Sequence, residues 1–383
     1  MGGLFVAWVA VASLGMAPPP AAHSVRFEFE RTEMAIPFKL VLYAPDESTA
    51  NGAAETVFRR IHQLNAILSD YDPDSELRRL CDTAGEGKAV PVSEDLWRVL
   101  VQARTMAERT EGAFDPTIGP VIRVWRLARA FQKMPPQELL DRTRSLVDYR
   151  LMRLAPKDRT VELTKRGMRL DLGGIAKGFA VQEGLAILRS RGIEQAMIQA
   201  GGDLGLAAPP PDRPGWTIGI APQDAKGPPS FYLCLSRTFV ASSGDMYQYV
   251  VLDGKRYSHI VDPKTGLGLT DHSQVTVVGP DGMTADAMAT AVSVLGPDRG
   301  LKLVDETPGM AAYFQRRVNG RIEARQSARW KELPRIEPDV AVKGECPNTH
   351  GVVRENGATP VGPPGRHESP SIPPDRRDAV GAP

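Results

Sequence analysis

Cysteine is scarce in this sequence. The chain of 383 residues holds three, Cys81, Cys234 and Cys346, and none forms a Cys-x-x-Cys pair. An odd, dispersed set argues against a disulfide framework and against a zinc site. Net charge is nearly missing as well. Lysine and arginine number 47 against 46 aspartates and glutamates, a formal charge of +1. The basic residues form no helix-spaced stripe, so neither a nucleic acid nor an acidic surface is an expected partner. No internal repeat is present. Apart from one N-terminal stretch there is no long apolar run. That stretch, LFVAWVAVASLGMA (Leu4–Ala17), has the length and apolarity of a signal-peptide core and is short for a bilayer span. It lacks a basic flank, because only Met-Gly-Gly precedes it, and Pro18 and Pro20 spoil the cleavage context. No cysteine follows that could carry a lipid. The expectation is export to the periplasm or cell envelope, with residues 1–25 a signal peptide or N-terminal tail.

What is present reads as α+β. SVRFEFERTEM alternates like a strand, and FKLVLYA continues as another. Helical spacing runs through Val57, Ile61, Leu64 and Leu68, and a second helix follows Ser93 as N-cap, with Leu96, Val99, Leu100 and Ala103 on one face. A third spans residues 182–191 and stops at Gly192. Strands are expected at 195–200, 216–220, 231–241 and 274–278, and a last helix from Thr284. Strand and helix do not alternate strictly, which disfavours a doubly wound sheet. The folded domain is expected over 26–334. The remainder, 335–383, becomes rich in proline, glycine and charge and reads as a disordered tail.

Five short segments could carry chemistry. LDLGGIAKGFA (Leu170–Ala180) resembles a phosphate loop, but Lys177 follows Ala176 and precedes Gly178, so the P-loop spacing fails. Adjacent Gly173 and Gly174 break the dinucleotide fingerprint too. Either the following helix and Lys177 face an anion, or this is a tight turn with a solvated lysine. TADAMATAVSVLGP (Thr284–Pro297) is a helix apolar almost all round, hence buried, with Thr284 as N-cap and Gly296-Pro297 as its stop. Asp286 and Thr290 share one face of it. A carboxylate and a hydroxyl converging there suit Mg²⁺, although both could serve only the helix itself. In GKRYSHIVDPKTGLG (Gly254–Gly268), His259 and Asp262 flank a strong turn and are acid–base candidates or simply structural. EGAFDPTIGPVIRVW (Glu111–Trp125) describes an irregular loop that either clasps a planar ligand or connects two helices. Tyr71, in ILSDYDPDSEL, is an aromatic in a polar turn, able to stack on a ring system.

Taken in order, and with EMAIPFKLVLYA (Glu33–Ala44), these segments resemble the ApbE family, the FAD:protein FMN transferases. DLGGIAKG, SHIVDPKTG, ADAMATA and GAFDPTIGP each match a family signature. The resemblance implies an ApbE-like, T-fold-like single large domain of mixed and antiparallel sheets with packed helices. It implies FAD as substrate, Mg²⁺ as cofactor, and transfer of FMN to a threonine hydroxyl of an acceptor protein with release of AMP. By position, the metal ligands would be the Gly174 carbonyl, Asp286 and Thr290. Contacts to FAD would fall on Met34, Tyr71, Ala113, Phe114, Asp115, Asp171, Lys177 and Ile260. A threonine hydroxyl is a weak nucleophile, and His259 or Asp262 would be its base. The implied acceptor is a subunit of a membrane redox complex bearing a threonine flavinylation motif, with peripheral membrane association. One departure stands out. Where the family has Met-Gly-Thr, this chain has Met34-Ala35-Ile36, and Ala35 is expected to take an ordinary backbone conformation. The same site working on water would be an FAD pyrophosphatase. The same site without turnover would be a flavin-binding protein.

Overall fold

The first two strands form an antiparallel hairpin, β1 (Val25–Glu33) and β2 (Ile36–Ala44), in full register from Val25↔Ala44 to Glu33↔Ile36. The structure is a computed structural model that describes residues 24–222, 227–246, 248–336 and 346. The expected leader and most of the expected tail lie outside these residues. Met34 and Ala35 alone close the hairpin, with φ of 49° and 61°. A two-residue turn matched to the strand twist needs positive φ at both positions. Ala35 is therefore left-handed, against the sequence expectation, because the register of two long strands overrides its local preference.

The chain continues through α1 (Glu47–Leu68), α2 (Glu76–Asp82), β3 (Val90–Pro91), α3 (Glu94–Arg109), α4 (Gly119–Phe131), α5 (Gln137–Arg144), β4 (Met152–Ala155) and β5 (Thr160–Leu163). Then come α6 (Ala176–Ser190), β6 (Ala196–Ala200), β7 (Asp203–Leu206), β8 (Trp216–Ile220), β9 (Phe231–Leu235) and β10 (Thr238–Gly244). The last elements are β11 (Tyr249–Leu252), β12 (Lys255–Ser258), β13 (Ser273–Gly279), α7 (Gly282–Asp305), β14 (Ala311–Val318), β15 (Arg321–Gln326) and β16 (Arg335–Ile336).

An eight-stranded open antiparallel sheet, ordered β1-β2-β6-β7-β10-β13-β14-β15, is the spine. Its two faces bury different partners, and the period-two alternation of β2 shows how. Phe38, Leu40 and Leu42 join the core shared with helices α1, α3, α6 and α7, while Val41 points the other way. On that second face it meets Trp216, Ile218 and Leu233 of the small sheet β16-β9-β8, with Trp330. All residues of β13 are buried, as a central strand covered on both faces must be. Together these layers make the α+β class read from the sequence, with no closed barrel among the described residues. All the described residues belong to one compact unit.

Several boundaries differ from the sequence expectation. The strand expected over 231–241 is two strands, broken at Arg237, whose φ is 50°. The third helix starts at Ala176, so much of the glycine-rich segment is already helical. The last helix is capped by Asp281, whose side chain accepts the Thr284 amide at 2.9 Å, and Thr284 lies inside its first turn. Gly296 breaks this helix at φ 72°, and Pro297 begins its second part. Pairing also continues past residue 334: β16 joins β9, and Cys346 is disulfide-bonded to Cys234. The low cysteine count argued against disulfides; a pair separated by 112 residues has no sequence signature, and only the fold brings the Cα atoms to 5.6 Å. Cys81 is free and buried.

Candidate active site

Helices α6 and α7 cross at glycine. A methyl group on Gly178 would stand 2.1 Å from the Gly282 carbonyl oxygen, and one on Gly282 would stand 2.3 Å from that of Gly178. The final glycine of LDLGGIAKG therefore serves helix packing, not phosphate binding. The close crossing lets the Gly178 amide donate to Asp286 Oδ2 at 3.1 Å. It also sets Gly174 against Thr290, whose Oγ1 lies 2.8 Å from where a Cβ of Gly174 would be. Gly174, Asp286 and Thr290, the three metal candidates, are thus brought together. Phe114, itself buried, closes the same spot, 3.4 Å from that point.

Lys177 reaches into this cluster from the first turn of α6. Its ammonium lies 3.0 Å from the Gly173 carbonyl, 3.2 Å from Asp286 Oδ2 and 2.9 Å from Asp203 Oδ2. Burial works against its charge, but the two carboxylates prevail and hold it protonated. Asp203 is almost completely buried, at 3% exposure. Burial and the neighbouring Asp286 charge push its carboxyl up to about 7, although Lys177 pulls the other way. Its Oδ2 makes the ion pair without an aligned hydrogen bond. A buried carboxylate oxygen left in this state favours a cation nearby. The oxygens brought close here are hard ones, the Asp286 carboxylate and the Thr290 hydroxyl, with the Gly174 backbone beside them. Such a set fits Mg²⁺, which takes oxygen ligands and keeps water or phosphate in its other positions. No group of three or more His, Cys, Asp or Glu poised for a metal occurs among the described residues.

His259 follows β12. Its amide and its Nδ1 both meet the Gln248 carbonyl, at 3.0 and 3.1 Å. A carbonyl only accepts, so Nδ1 carries the proton and Nε2 presents a lone pair. Enclosure lowers the imidazole to about 4, and repulsion from Arg129 and Lys177 adds to this. The ring is therefore neutral near pH 7 and lies within electrostatic reach of Lys177. Asp262 is occupied differently. Its Oδ1 accepts the Lys264 amide at 2.8 Å and shapes the Asp-Pro-Lys-Thr-Gly turn. Ile260 between them is buried.

A second cluster adjoins the first through Asp171. Its Oδ1 accepts the Gly173 amide at 2.8 Å, and its Oδ2 takes Arg126 of α4 at 3.0 Å. Arg126 also pairs with Asp70 and lies over the Tyr71 ring, 3.9 Å from the centroid. Burial, and then the Asp171 charge, push Asp70 up to about 6 despite Arg126. Tyr71 is 61% exposed, an aromatic plane held out by its arginine. The loop before α4 lies alongside, through an Ile118–Arg169 bridge and the Asp171 amide on the Pro116 carbonyl at 2.8 Å. Ala113 and Phe114 are buried there. The Asp115 carboxylate turns inward, accepting from Thr117 N, Thr117 Oγ1 and Tyr149 N at 2.8, 2.7 and 3.0 Å. It ties the loop to itself and to Tyr149. Met34 lies at the β1–β2 turn. Its neighbour Ile36 approaches Gly201 in the Gly201-Gly202 turn, 3.6 Å from where a Cβ would be. Asp203 follows that turn directly.

Asp203, Asp70 and Arg126 escaped the sequence reading. For Asp203 a signal existed: Gly-Gly between two short apolar runs marks a hairpin, and the next residue is an aspartate. Arg126 and Asp70 are one charge among many in their segments, and only the packing of α4 brings them to Tyr71 and Asp171.

A cluster of oxygen donors with an ion-paired lysine beside it is equipment suited to phosphate esters. The ApbE family model matches residues 34–314, and the chain belongs to that family. It is 33% identical over 281 residues to a protein of Treponema pallidum named FAD:protein FMN transferase, covering 69% of this chain and 77% of the relative. A Haemophilus influenzae protein of the same name is 30% identical over 303 residues, covering 76% and 87%. Among solved structures, the flavin transferase ApbE from Vibrio cholerae superposes with a TM-score of 0.73 at 25% identity, over 81% of this chain and 99% of that one. The ApbE protein from Thermotoga maritima also gives 0.73, at 28% identity, over 82% and 100%.

Proposed function

We propose that this protein is an Mg²⁺-dependent FAD:protein FMN transferase that moves FMN from FAD to a threonine hydroxyl and releases AMP. The observation that carries the reading is the convergence of Gly174, Lys177, Asp286 and Thr290, within electrostatic reach of a neutral His259. Asp286, Thr290 and the Gly174 carbonyl would hold Mg²⁺, which when bound neutralises pyrophosphate charge. Lys177 adds a fixed positive charge for the phosphate oxygens. Tyr71, backed by Arg126, offers a plane for a ring of FAD. His259 Nε2 takes the threonine proton as the hydroxyl oxygen attacks the FMN phosphorus. The bond from that phosphorus to the bridging oxygen breaks, and its electrons leave with AMP.

We place the protein outside the cytoplasm, in the periplasm or cell envelope. The Cys234–Cys346 disulfide supports an oxidising compartment. The acceptor in this reading is a subunit of a membrane redox complex. Among the described residues no helix is long and apolar enough to cross a membrane.

The test is mass spectrometry of an acceptor peptide incubated with protein, FAD and Mg²⁺. The expected result is a mass gain of one FMN and an equal yield of AMP, lost in Asp286→Ala. Unchanged transfer by Asp286→Ala would sink the metal assignment. AMP release at the same rate without acceptor would identify a pyrophosphatase instead.

A further inference from the structure

Asp286 has two claimants. It belongs to the oxygen set that fits Mg²⁺, and its carboxylate already faces Lys177 at 3.2 and 3.3 Å. Its Oδ2 further accepts the Gly178 amide at 3.1 Å. A dication and an ammonium held on one carboxylate repel each other strongly in a buried site. Cation binding therefore requires that Lys177 shift its weight elsewhere, and the nearest carboxylate oxygen is Asp203 Oδ2 at 2.9 Å.

We propose that Asp203 is a positioning residue that holds the Lys177 ammonium off Asp286, so that the cation can take Asp286 while Lys177 stays in the site. Three features suit it to this. It is 3% exposed, so its charge is little screened by water. Its backbone is fixed in register opposite Ala200 of β6. It opens β7 immediately after the two-glycine turn, in the middle of the large sheet, where the backbone cannot give way. Lys177 by contrast is a long side chain from the first turn of a helix and can swing between two oxygens a short distance apart. With Asp203 present, the lysine has a second place to rest. Without it, the ammonium settles wholly on Asp286 and competes with the cation.

The inference rests on the proposed cation site, and the experiment separates the two. Free Mn²⁺ is titrated by electron paramagnetic resonance with purified full-length protein, without FAD, for wild type, Asp203→Asn, Lys177→Met and the double variant. The expected result is binding weakened on the order of tenfold in Asp203→Asn, as an ammonium released onto Asp286 predicts. Lys177→Met should bind at least as tightly as wild type, and Asp203→Asn should then cost less than about twofold in the Lys177→Met background, because the competitor is gone. An equal loss in both backgrounds would show that Asp203 acts on the cation directly and would overturn the inference. So would an Asp203→Asn protein that binds like wild type. Wild type without any Mn²⁺ binding would overturn the cation site and the inference together. If Asp203→Asn does not fold, Lys177→Met decides alone: weaker binding than wild type means the lysine is no competitor.

Discussion

His259 is the residue on which the proposed chemistry turns. Its imidazole is lowered from 6.5 to about 4, so it is a neutral base over the whole physiological range. The base form is lost only as pH falls through about 4. With Mg²⁺ saturating, so that Asp203 titrating near 7 does not limit cation binding, transfer rate should therefore stay flat down to pH near 5 and drop below it, followed as AMP release across a pH series. His259→Gln should lower kcat roughly 10²–10⁴-fold and remove that acid limb. Ala35 bears on stability. Its φ of 61° is costly for any residue with a Cβ. Ala35→Gly should stabilise the protein by about 1 kcal/mol in denaturant unfolding, since it relieves a left-handed alanine. At this scale much was legible: Asp286, Thr290 and Lys177 stand in distinctive surroundings in the sequence. Asp70, Arg126 and Asp203 did not stand out, because a charged residue acquires its role from a neighbour far away in the chain.

Helices α6 and α7 matter as a pair. Their crossing, with glycine on each side, brings Lys177 and Asp286 together. Gly178→Ala would put a methyl group 2.1 Å from a backbone oxygen, a clash that no side-chain rotation removes. The helices must separate, at a cost of about 1–3 kcal/mol in thermal or denaturant unfolding. The same separation should weaken Mg²⁺ dependence of transfer, because Asp286 loses the Gly178 amide. Loss of stability with an unchanged Mg²⁺ requirement would show that the crossing serves the fold alone. The sequence marked both elements correctly as helical. It did not mark where they touch, because a helix apolar on nearly every side offers no periodic clue to which face meets which partner.

Among the described residues, an open eight-stranded sheet is covered by helices on one face and by a small sheet on the other. The small sheet carries the link to Cys346. Replacing Cys234 with serine should lower stability by about 2–4 kcal/mol, as expected for removing a cross-link that closes a long loop. The check is denaturant unfolding with and without reductant: reduction should bring wild type down to Cys234→Ser and leave the variant unchanged. Catalysis should survive, since the link holds β9 and the candidate site lies on the helix side and at strand ends. The sequence by itself determined the class, the strands with period-two alternation, the helices with buried stripes, and the short segments that identify the family. Each of these is a property of neighbours along the chain. Only the tertiary structure decided the left-handed Ala35, the Cys234–Cys346 pair, the glycine crossing and the placing of Asp203, at the start of β7, against Lys177. These depend on distances between segments remote in sequence, and such distances are settled only when the sheet and helices pack as one body.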